Sequence, residues 1–201
     1  MESDYISERE NVIMKERAKR IKDARTLEMM IFGSARSEDE YYDNMKRGLR
    51  LEIRYLQKAT LVNPDCFPYA FIACFNRLGE DKKTTLHIWL CGVLPEYRGQ
   101  GIMKDMLNSC ISEITKYNTV SNPLCIPDDR GYEFSGIVSV HTYPDFYKVM
   151  FAFIKKYGFV EEKELIGKYK DKGRFVRYTT TLEEIRKIMN PAISPSLIKL
   201  D

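Results

Sequence analysis

The segment from residue 84 to residue 115 constrains the fold of this chain more than any other. Residues 84–93 form an apolar run with the length and flanking residues of a buried strand, and Leu94-Pro-Glu-Tyr97 follows it. Arg98-Gly-Gln-Gly101 then leads into a stretch whose apolar side chains follow the i, i+4, i+8 rows of an α-helix: Ile102, Met103, Met106, Leu107, Cys110, Ile111 and Ile114. A strand, a glycine-containing turn and an amphipathic helix in this order predict a domain with both strands and helices.

The turn between this strand and helix has the chemistry of an anion site. Two glycines at a helix start leave backbone N–H groups accessible, and the positive end of the helix dipole favours an anion there, most often a phosphate. The turn contains neither the GxxxxGK[ST] of a P-loop nor the GxGxxG of a dinucleotide fold. A tight turn that binds nothing is the alternative interpretation.

Composition excludes several classes of protein. The chain has 201 residues, 44% of them hydrophobic, and its 32 basic and 29 acidic residues leave a formal charge of +3. We therefore expect one globular domain over residues 1–201, with no nucleic acid or membrane partner. Because the start is acidic and polar, we expect no signal peptide. Five cysteines without a CxxC pair and two histidines argue against a zinc site, so we expect no metal and a reducing compartment such as the cytoplasm.

The remaining pattern predicts an α+β (or α/β) domain with a mixed sheet. A helix ends at Gly33, and a second begins after Ser37, where Ser37-Glu-Asp-Glu40 is a capping box. Further predicted elements are strands at 59–62, 69–75, 84–93 and 136–141, a loop at 118–131, a helix at 146–157, a hairpin from 160–167 and 174–180, and a helix at 181–189.

Two motifs resemble the GNAT superfamily of acyl-CoA-dependent N-acetyltransferases. Arg98-Gly-Gln-Gly101-Ile-Met103 is similar to the family's R/Q-x-x-G-x-G/A signature in all but its last position. Downstream, the strand Val138–His141 leads to a helix that ends in Lys-Lys-Tyr-Gly158-Phe159, and the equivalent helix of the family ends in a similar x-Gly-Phe. The resemblance implies a GNAT-like fold, in which a mostly antiparallel sheet with a splayed strand pair is flanked by helices. It also implies acetyl-CoA as donor and a primary amine as acceptor, joined by direct attack.

The resemblance further implies a set of cofactor-binding residues. The strand backbone would pair with the pantetheine arm, the turn would bind the phosphates, and the Gly92 N–H would face the oxyanion of the tetrahedral intermediate. Gly92 also suggests, on its own, a bulge or a close backbone approach. The implied residues are Cys91, Gly92, Val93, Arg98, Gly99, Gln100, Gly101, Ile102 and Met103.

Two positions of the later helix depart from the family pattern. Ile154 stands where many GNAT enzymes have a tyrosine that protonates the departing thiolate, and Tyr147 stands where an asparagine often contacts the pantetheine arm. Tyr143 or Tyr147 could replace the acid, or a water could do so; aromatic residues at helical spacing are also typical of a core.

The attacking amine must be neutral, and deprotonating an ammonium at pH 7 costs about 5 kcal/mol, so a base is expected. His87 is the first candidate, because strand alternation places it on the face of Trp89 and Cys91. The resemblance supports it, since histone acetyltransferases have a glutamate there and arylalkylamine acetyltransferases a histidine. His141 is the second candidate, and a buried polar role is the alternative for both. The family's direct attack argues against Cys91 as a nucleophile.

The acceptor is expected to be cationic, because the first two helices wall the acceptor site in the family and here contain carboxylates and phenols. The predicted substrate-binding residues are Glu38, Asp39, Tyr41, Tyr42 and Asp43, with Glu40 beside them, and Asp128, Asp129 and Glu133 supply further acid. They favour a diamine or polyamine, although acids in a first helical turn are also ordinary. A protein lysine or amino terminus as acceptor, a catalytically idle acyl-CoA-binding module, and a homodimer are left open.

Overall fold

The computed structural model describes residues 2–46, 48–56, 66–78, 83–117, 134–145, 147–166 and 173–189. These ranges contain five α-helices, six strands and a short 3-10 turn at Pro95–Tyr97. In chain order the elements are α1 (Glu2–Phe32), α2 (Glu38–Lys46), β1 (Arg50–Leu56), β2 (Phe67–Leu78), β3 (Thr84–Val93), α3 (Ile102–Tyr117), β4 (Phe134–Thr142), α4 (Lys148–Lys156), β5 (Val160–Leu165), β6 (Phe175–Thr181) and α5 (Leu182–Met189).

The six strands form a mixed sheet in the order β1-β2-β3-β4-β6-β5. β3 and β4 are parallel, whereas β1 with β2, β4 with β6, and β5 with β6 are antiparallel. The β3–β4 register runs from Thr84↔Phe134 to Ile88↔Val140, and β3 continues beyond it to Val93. The predicted α+β class with a mostly antiparallel sheet is therefore confirmed.

The predicted elements among the described residues occur within a few residues of their expected bounds, whereas β1 is a strand that the sequence did not predict. Its alternating residues Arg50, Glu52 and Arg54 gave no apolar run to recognise, although Leu51 and Ile53 lie between them. The strand predicted at 59–62 and the loop at 118–131 lie outside the described residues.

The start of α2 shows how the local sequence sets the helix boundary. α1 ends directly before Gly33, whose N–H donates to the Met29 carbonyl at 3.0 Å. The Ser37 hydroxyl then accepts a hydrogen bond from the Glu40 N–H at 3.2 Å. That bond satisfies one donor that the first helical turn leaves without an intrahelical acceptor, so the predicted cap is confirmed.

The chain divides into two compact units, each with its own buried apolar core. Unit 1 comprises Met1–Cys74 and Leu90–Cys110, and unit 2 comprises Phe75–Trp89 and Ile111–Asp201. Buried side chains of unit 1 include Ile21, Leu27, Phe71, Leu94, Met106 and Leu107, and those of unit 2 include Leu86, Ile88, Val138, Ile154, Val176 and Ile185. Each such side chain stabilises its unit by roughly 1.5–3 kcal/mol through burial. The single domain over residues 1–201 stays a prediction.

Membrane-spanning helices, metal sites and cysteines can be assessed in the part of the chain that the structure describes. There, no helix combines the length and apolar character needed to cross a membrane. Nor does any group of three or more histidine, cysteine or acidic side chains there have an arrangement that could hold a metal ion. Cys66, Cys74, Cys91 and Cys110 are free thiols.

Candidate active site

The glycine-containing turn of unit 1 connects the end of β3 to the start of α3. The Leu94 N–H donates to the Tyr69 carbonyl at 2.9 Å, which fixes the chain as it leaves the strand. The Arg98 guanidinium then folds back, and its Nε donates to the Val93 carbonyl at 3.0 Å. The exposed segment 98–101 is thereby held as a tight turn at the point where the sequence predicted one.

Two glycines give this turn a backbone that other residues adopt only under strain. Gly99 and Gly101 have φ values of 80° and 81°, and a Cβ on either would meet nothing within 4 Å. The left-handed backbone therefore requires glycine here, while the space beside it is open to a ligand. The Asp105 N–H donates to the Gly101 carbonyl at 3.1 Å, so the preceding N–H groups of residues 102–104 lie at the helix start. Backbone donors, open space and the helix dipole fit the phosphates of acetyl-CoA.

Gly92, near the end of β3, lies against α1. A Cβ at this position would approach Ile31 Cδ1 to 2.8 Å and Phe71 Cε1 to 3.3 Å, so the close backbone approach expected here is present. The neighbouring Cys91 is buried, and burial raises the pKa of its thiol to about 12. The thiol therefore stays protonated at pH 7, which agrees with the argument against a cysteine nucleophile.

His87 lies in unit 2 and is only 5% exposed. Its Nδ1 forms a 3.1 Å hydrogen bond with the Ser139 hydroxyl, and its ring centroid lies 4.4 Å from that of His141 and 5.2 Å from that of Phe75. Burial, with the neighbouring His141, lowers the pKa of His87 from 6.5 to about 3, so its imidazole is neutral at pH 7.

His141 lies beside His87 and is less buried. Its ring packs edge-on against Phe175 at 5.7 Å, and its buried Nε2 has no hydrogen-bond partner among the described residues. Burial lowers the pKa of His141 to about 4, and the positive charges of Arg77, Arg177 and Lys163 add to this effect. The two histidines thus form a neutral pair in a positive environment.

The low pKa of His87 bears directly on its predicted role. Moving a proton from an ammonium group with a pKa near 10.4 to an imidazole with a pKa of about 3 is unfavourable by about 10 kcal/mol. An efficient general base has a pKa close to the working pH. His87 and His141 as bases stay predictions, and this energy counts against the first of them.

The lowered pKa values of His87 and His141 predict that the free energy of unfolding decreases as the pH falls. Both pKa values lie below the unfolded value of 6.5, so the unfolded chain binds more protons than the folded chain as pH falls from 6.5 towards 4. His87 should therefore remove about 2 kcal/mol of stability between pH 6.5 and pH 5, and the more exposed His141 should remove less, because solvent screens its surroundings. Urea unfolding of the wild type and of His87→Gln plus His141→Gln, over this pH range, measures the difference in slope.

The chain has only two histidines, so this double variant removes every imidazole while leaving the carboxylates common to both proteins. We expect its stability to fall less steeply with acid, by up to about 1.4 kcal/mol per pH unit for each histidine. Parallel pH dependences for the two proteins would show that the histidines titrate normally in the folded state.

The tyrosines predicted to protonate the departing thiolate lie just before α4 in the chain. Tyr147 is the residue before α4, its backbone N–H donates to the Tyr143 carbonyl at 2.9 Å, and its side chain is half-buried. Ile154 and Tyr143 are both buried, and the ring centroid of Tyr143 lies 4.7 Å from that of Phe175. Tyr147 as a catalytic residue stays a prediction.

The carboxylates of α2 that were predicted to bind the acceptor are largely engaged with basic side chains of unit 1. Asp39 is exposed and Tyr42 is half-buried. The other acids of the helix form exposed ion pairs: Glu38–Arg25 at 2.5 Å, Glu40–Arg36 at 3.6 Å and Asp43–Lys46 at 3.1 Å. These contacts reduce the negative charge offered to a cationic acceptor.

Tyr41 is fully buried and belongs to a cluster that sequence reasoning missed. Its hydroxyl donates to Glu28 Oε2 at 3.1 Å, while the Arg36 Nη1 and backbone N–H donate to the same carboxylate at 2.5 and 3.1 Å. Glu28 is 0% exposed. Burial, with the Glu28 charge, raises the pKa of Tyr41, so its hydroxyl remains a donor. The sequence signal for this cluster is the place of Glu28 in α1, next to Leu27 and four residues after Ala24, which are both buried.

The mixed sheet, in which β3 and β4 are parallel, and the glycine turn that leads from β3 into α3 agree with the fold that the resemblance implies. Residues 26–121 match the family model described as the Acetyltransferase (GNAT) family. This match confirms, over residues 26–121, the resemblance to acetyl-CoA-dependent acetyltransferases of the GNAT family that was drawn from the two motifs. A comparison with curated proteins gave no match.

Solved structures share this fold at low sequence identity. The NatC complex bound to Gag peptide and CoA contains a chain with 15% identity and a TM-score of 0.57, over 81% of this chain and 91% of that one. Naa50 of Arabidopsis thaliana, with the bisubstrate analogue CoA-Ac-MVNAL, has 18% identity and a TM-score of 0.53 over 81% and 93% of the two chains. NAA60 of the same plant, with acetyl-CoA, has 15% identity and a TM-score of 0.56 over 81% and 94%.

Proposed function

We propose that this chain transfers the acetyl group of acetyl-CoA to the amine of a peptide. The amine nitrogen attacks the thioester carbonyl directly, a C–N bond forms, the C–S bond breaks, and CoA leaves as the thiol. The amine loses one proton in the process, and the thiolate gains one from a group on the protein or from water. No acyl-enzyme is needed, in agreement with the raised pKa of the Cys91 thiol.

One observation supports this donor more than any other. The turn from Arg98 to Gly101 combines a left-handed backbone at both glycines, open space beside them and a helix that starts at Ile102. An anion is favoured there by the backbone donors and by the helix dipole together. Arg98, Gly99, Gln100, Gly101, Ile102 and Met103 are the residues we propose for phosphate binding, and Cys91, Gly92 and Val93 for the pantetheine arm.

The ion pairs of α2 favour a peptide amine over a polyamine as acceptor. A polyamine needs several unpaired carboxylates, whereas Glu38 and Asp43 already have basic partners at 2.5 and 3.1 Å. Structures of the same fold hold a Gag peptide in one case and the peptidyl analogue CoA-Ac-MVNAL in another, which supports the same choice. The diamine or polyamine predicted from Glu38, Asp39, Tyr41, Tyr42 and Asp43 stays the competing prediction.

A thiol-release assay with acetyl-CoA and a panel of acceptors tests this proposal. We expect a peptide with a free amine to raise thiol release well above the rate without acceptor. The same peptide with its amino terminus acetylated, and without lysine, is the matched control and should leave the background rate unchanged. Faster release with spermidine than with any peptide would favour the polyamine instead. If acetyl-CoA binds but no amine raises the rate, the transferase function is excluded.

A further inference from the structure

The end of α1 lies against the β3 backbone at Gly92, which belongs to the pantetheine site of the proposed function. A Cβ on Gly92 would come within 2.8 Å of Ile31 Cδ1, 3.3 Å of Ile31 Cγ2 and 3.3 Å of Phe71 Cε1. Such a Cβ would overlap Ile31, so the Ile31 side chain already fills the space above the glycine. Ile31, Phe71 and Gly92 all belong to unit 1, as does the turn 98–101.

Glycine leaves one face of β3 without a side chain of its own at this point. Side chains alternate along a strand, so Cys91 and Val93 project to the face opposite the one that Gly92 would use. An acyl group bound beside the Gly92 backbone therefore meets Ile31 and Phe71 on the face that the glycine leaves open. Phe71 is fully buried and Ile31 is half-buried. We call these two side chains the acyl wall; both are apolar, as the contact with an acyl methyl group requires.

The last turns of α1 hold Ile31 in place. Leu27 and Glu28, one turn before it, are both fully buried. The Gly33 N–H donates to the Met29 carbonyl at 3.0 Å, so helical hydrogen bonding continues past Ile31. Close-packed side chains make little room for one extra methylene, because neighbouring groups must leave their preferred rotamers or shift the backbone. The acyl wall is therefore a firm boundary beside Gly92.

We propose that Ile31 limits the length of the acyl group, so that the chain transfers acetyl and rejects longer acyl-CoA thioesters. This inference rests on the proposed function, in which Gly92 lies beside the bound donor, and it adds what sets the donor class. The Ile31 Cδ1 methyl closes the space beyond the acetyl methyl, and Phe71 forms the adjoining part of the wall. The bonds that form and break stay those of acetyl transfer, C–N and C–S, with CoA leaving as the thiol. Ile31 is thus a specificity-determining residue and moves no proton.

The test changes one carbon on each side of this contact. Ile31→Val removes the Cδ1 methyl alone, and propionyl-CoA is longer than acetyl-CoA by one methylene. In the thiol-release assay, with the full chain and the acceptor that gives the highest rate, we expect kcat/KM of the wild type to be at least about tenfold higher with acetyl-CoA. One extra methylene in a filled apolar pocket changes kcat/KM by about 10- to 200-fold. Ile31→Val should bring the ratio of the two donors close to one.

Met30→Ala is the matched control, because Met30 precedes Ile31 on α1 and is 50% exposed; it should keep the wild-type ratio. The ratio compares two donors on the same protein, so a loss of folded protein lowers both rates and leaves it unchanged. Ile31→Ala removes further carbons and should raise kcat/KM with butyryl-CoA by about tenfold over the wild type. A ratio that Met30→Ala lowers as much as Ile31→Val does would overturn the inference.

Failure of this inference differs from failure of the proposed function. Equal kcat/KM for the two donors in the wild type, or an equal ratio in Ile31→Val and wild type, would overturn the acyl wall while leaving acetyl transfer intact. If no amine of the panel is acetylated, calorimetric titration with acetyl-CoA and propionyl-CoA gives the ratio of dissociation constants in its place. A binding preference for acetyl-CoA that Ile31→Val removes supports the wall, and equal affinity for the two thioesters overturns it.

Discussion

Replacing Glu28 with alanine is expected to lower the free energy of unfolding by about 3 kcal/mol. Glu28 is fully buried and accepts hydrogen bonds from the Tyr41 hydroxyl and from two donors of Arg36. Without the carboxylate, the buried Tyr41 hydroxyl loses this acceptor and the Arg36 guanidinium loses its nearer counter-charge, while its 3.6 Å ion pair with Glu40 remains. Removing one partner of a buried ionic cluster costs more than the pair contributes when intact, because the groups that remain have already lost their water.

Glu16→Ala is the matched control, because Glu16 lies on the same helix and pairs with Arg20 at 3.0 Å with both side chains exposed. An exposed pair of this kind contributes less than about 1 kcal/mol. Urea unfolding of the wild type and the two variants at pH 7 gives the free energies. Equal losses for Glu16→Ala and Glu28→Ala would show that the buried cluster does not stabilise unit 1.

The comparison of Glu16 with Glu28 also shows what the sequence could and could not predict. Both are acidic residues on one highly charged helix, and the local pattern separates them only by the place of Glu28, next to Leu27 and four residues after Ala24. The difference arises from tertiary packing, since Tyr41, 13 residues further along the chain, meets Glu28 only after α2 has folded against α1. The same limit applies to Glu38, whose partner Arg25 is also 13 residues away, and so the sequence alone predicts α2 carboxylates that bind a cationic acceptor.

Elements with a strong periodic pattern were predictable. β3 has the expected bounds, and α3 begins directly after Gly101, because apolar periodicity and turn residues both act over short distances. The cluster of His87, Ser139, His141 and Arg177 was not predictable as a whole. Strand alternation gives the orientation of His87, but the register that brings Ser139 beside it and Arg177 opposite His141 depends on how the strands pair.

Replacing Gly101 with valine is expected to weaken acetyl-CoA binding by at least about 100-fold. The backbone of Gly101 has φ = 81°, which a β-branched residue adopts only at a cost of about 2 kcal/mol, so the turn would shift to another conformation. That shift redirects the N–H groups at the start of α3, and losing two hydrogen bonds to a phosphate corresponds to roughly this change in affinity. Calorimetric titration with acetyl-CoA measures it.

Gly48→Val separates loss of the binding site from general strain. Gly48 has φ = 84° and belongs to the same unit, and a Cβ on it would meet nothing within 4 Å, as on Gly101. It differs in its place, because it follows α2 rather than preceding a helix. Both variants should therefore lose a similar amount of stability in urea, while only Gly101→Val loses affinity for acetyl-CoA. If the two variants bind acetyl-CoA equally well, the turn before α3 is not the phosphate site, because strain alone would then account for everything that Gly101→Val changes.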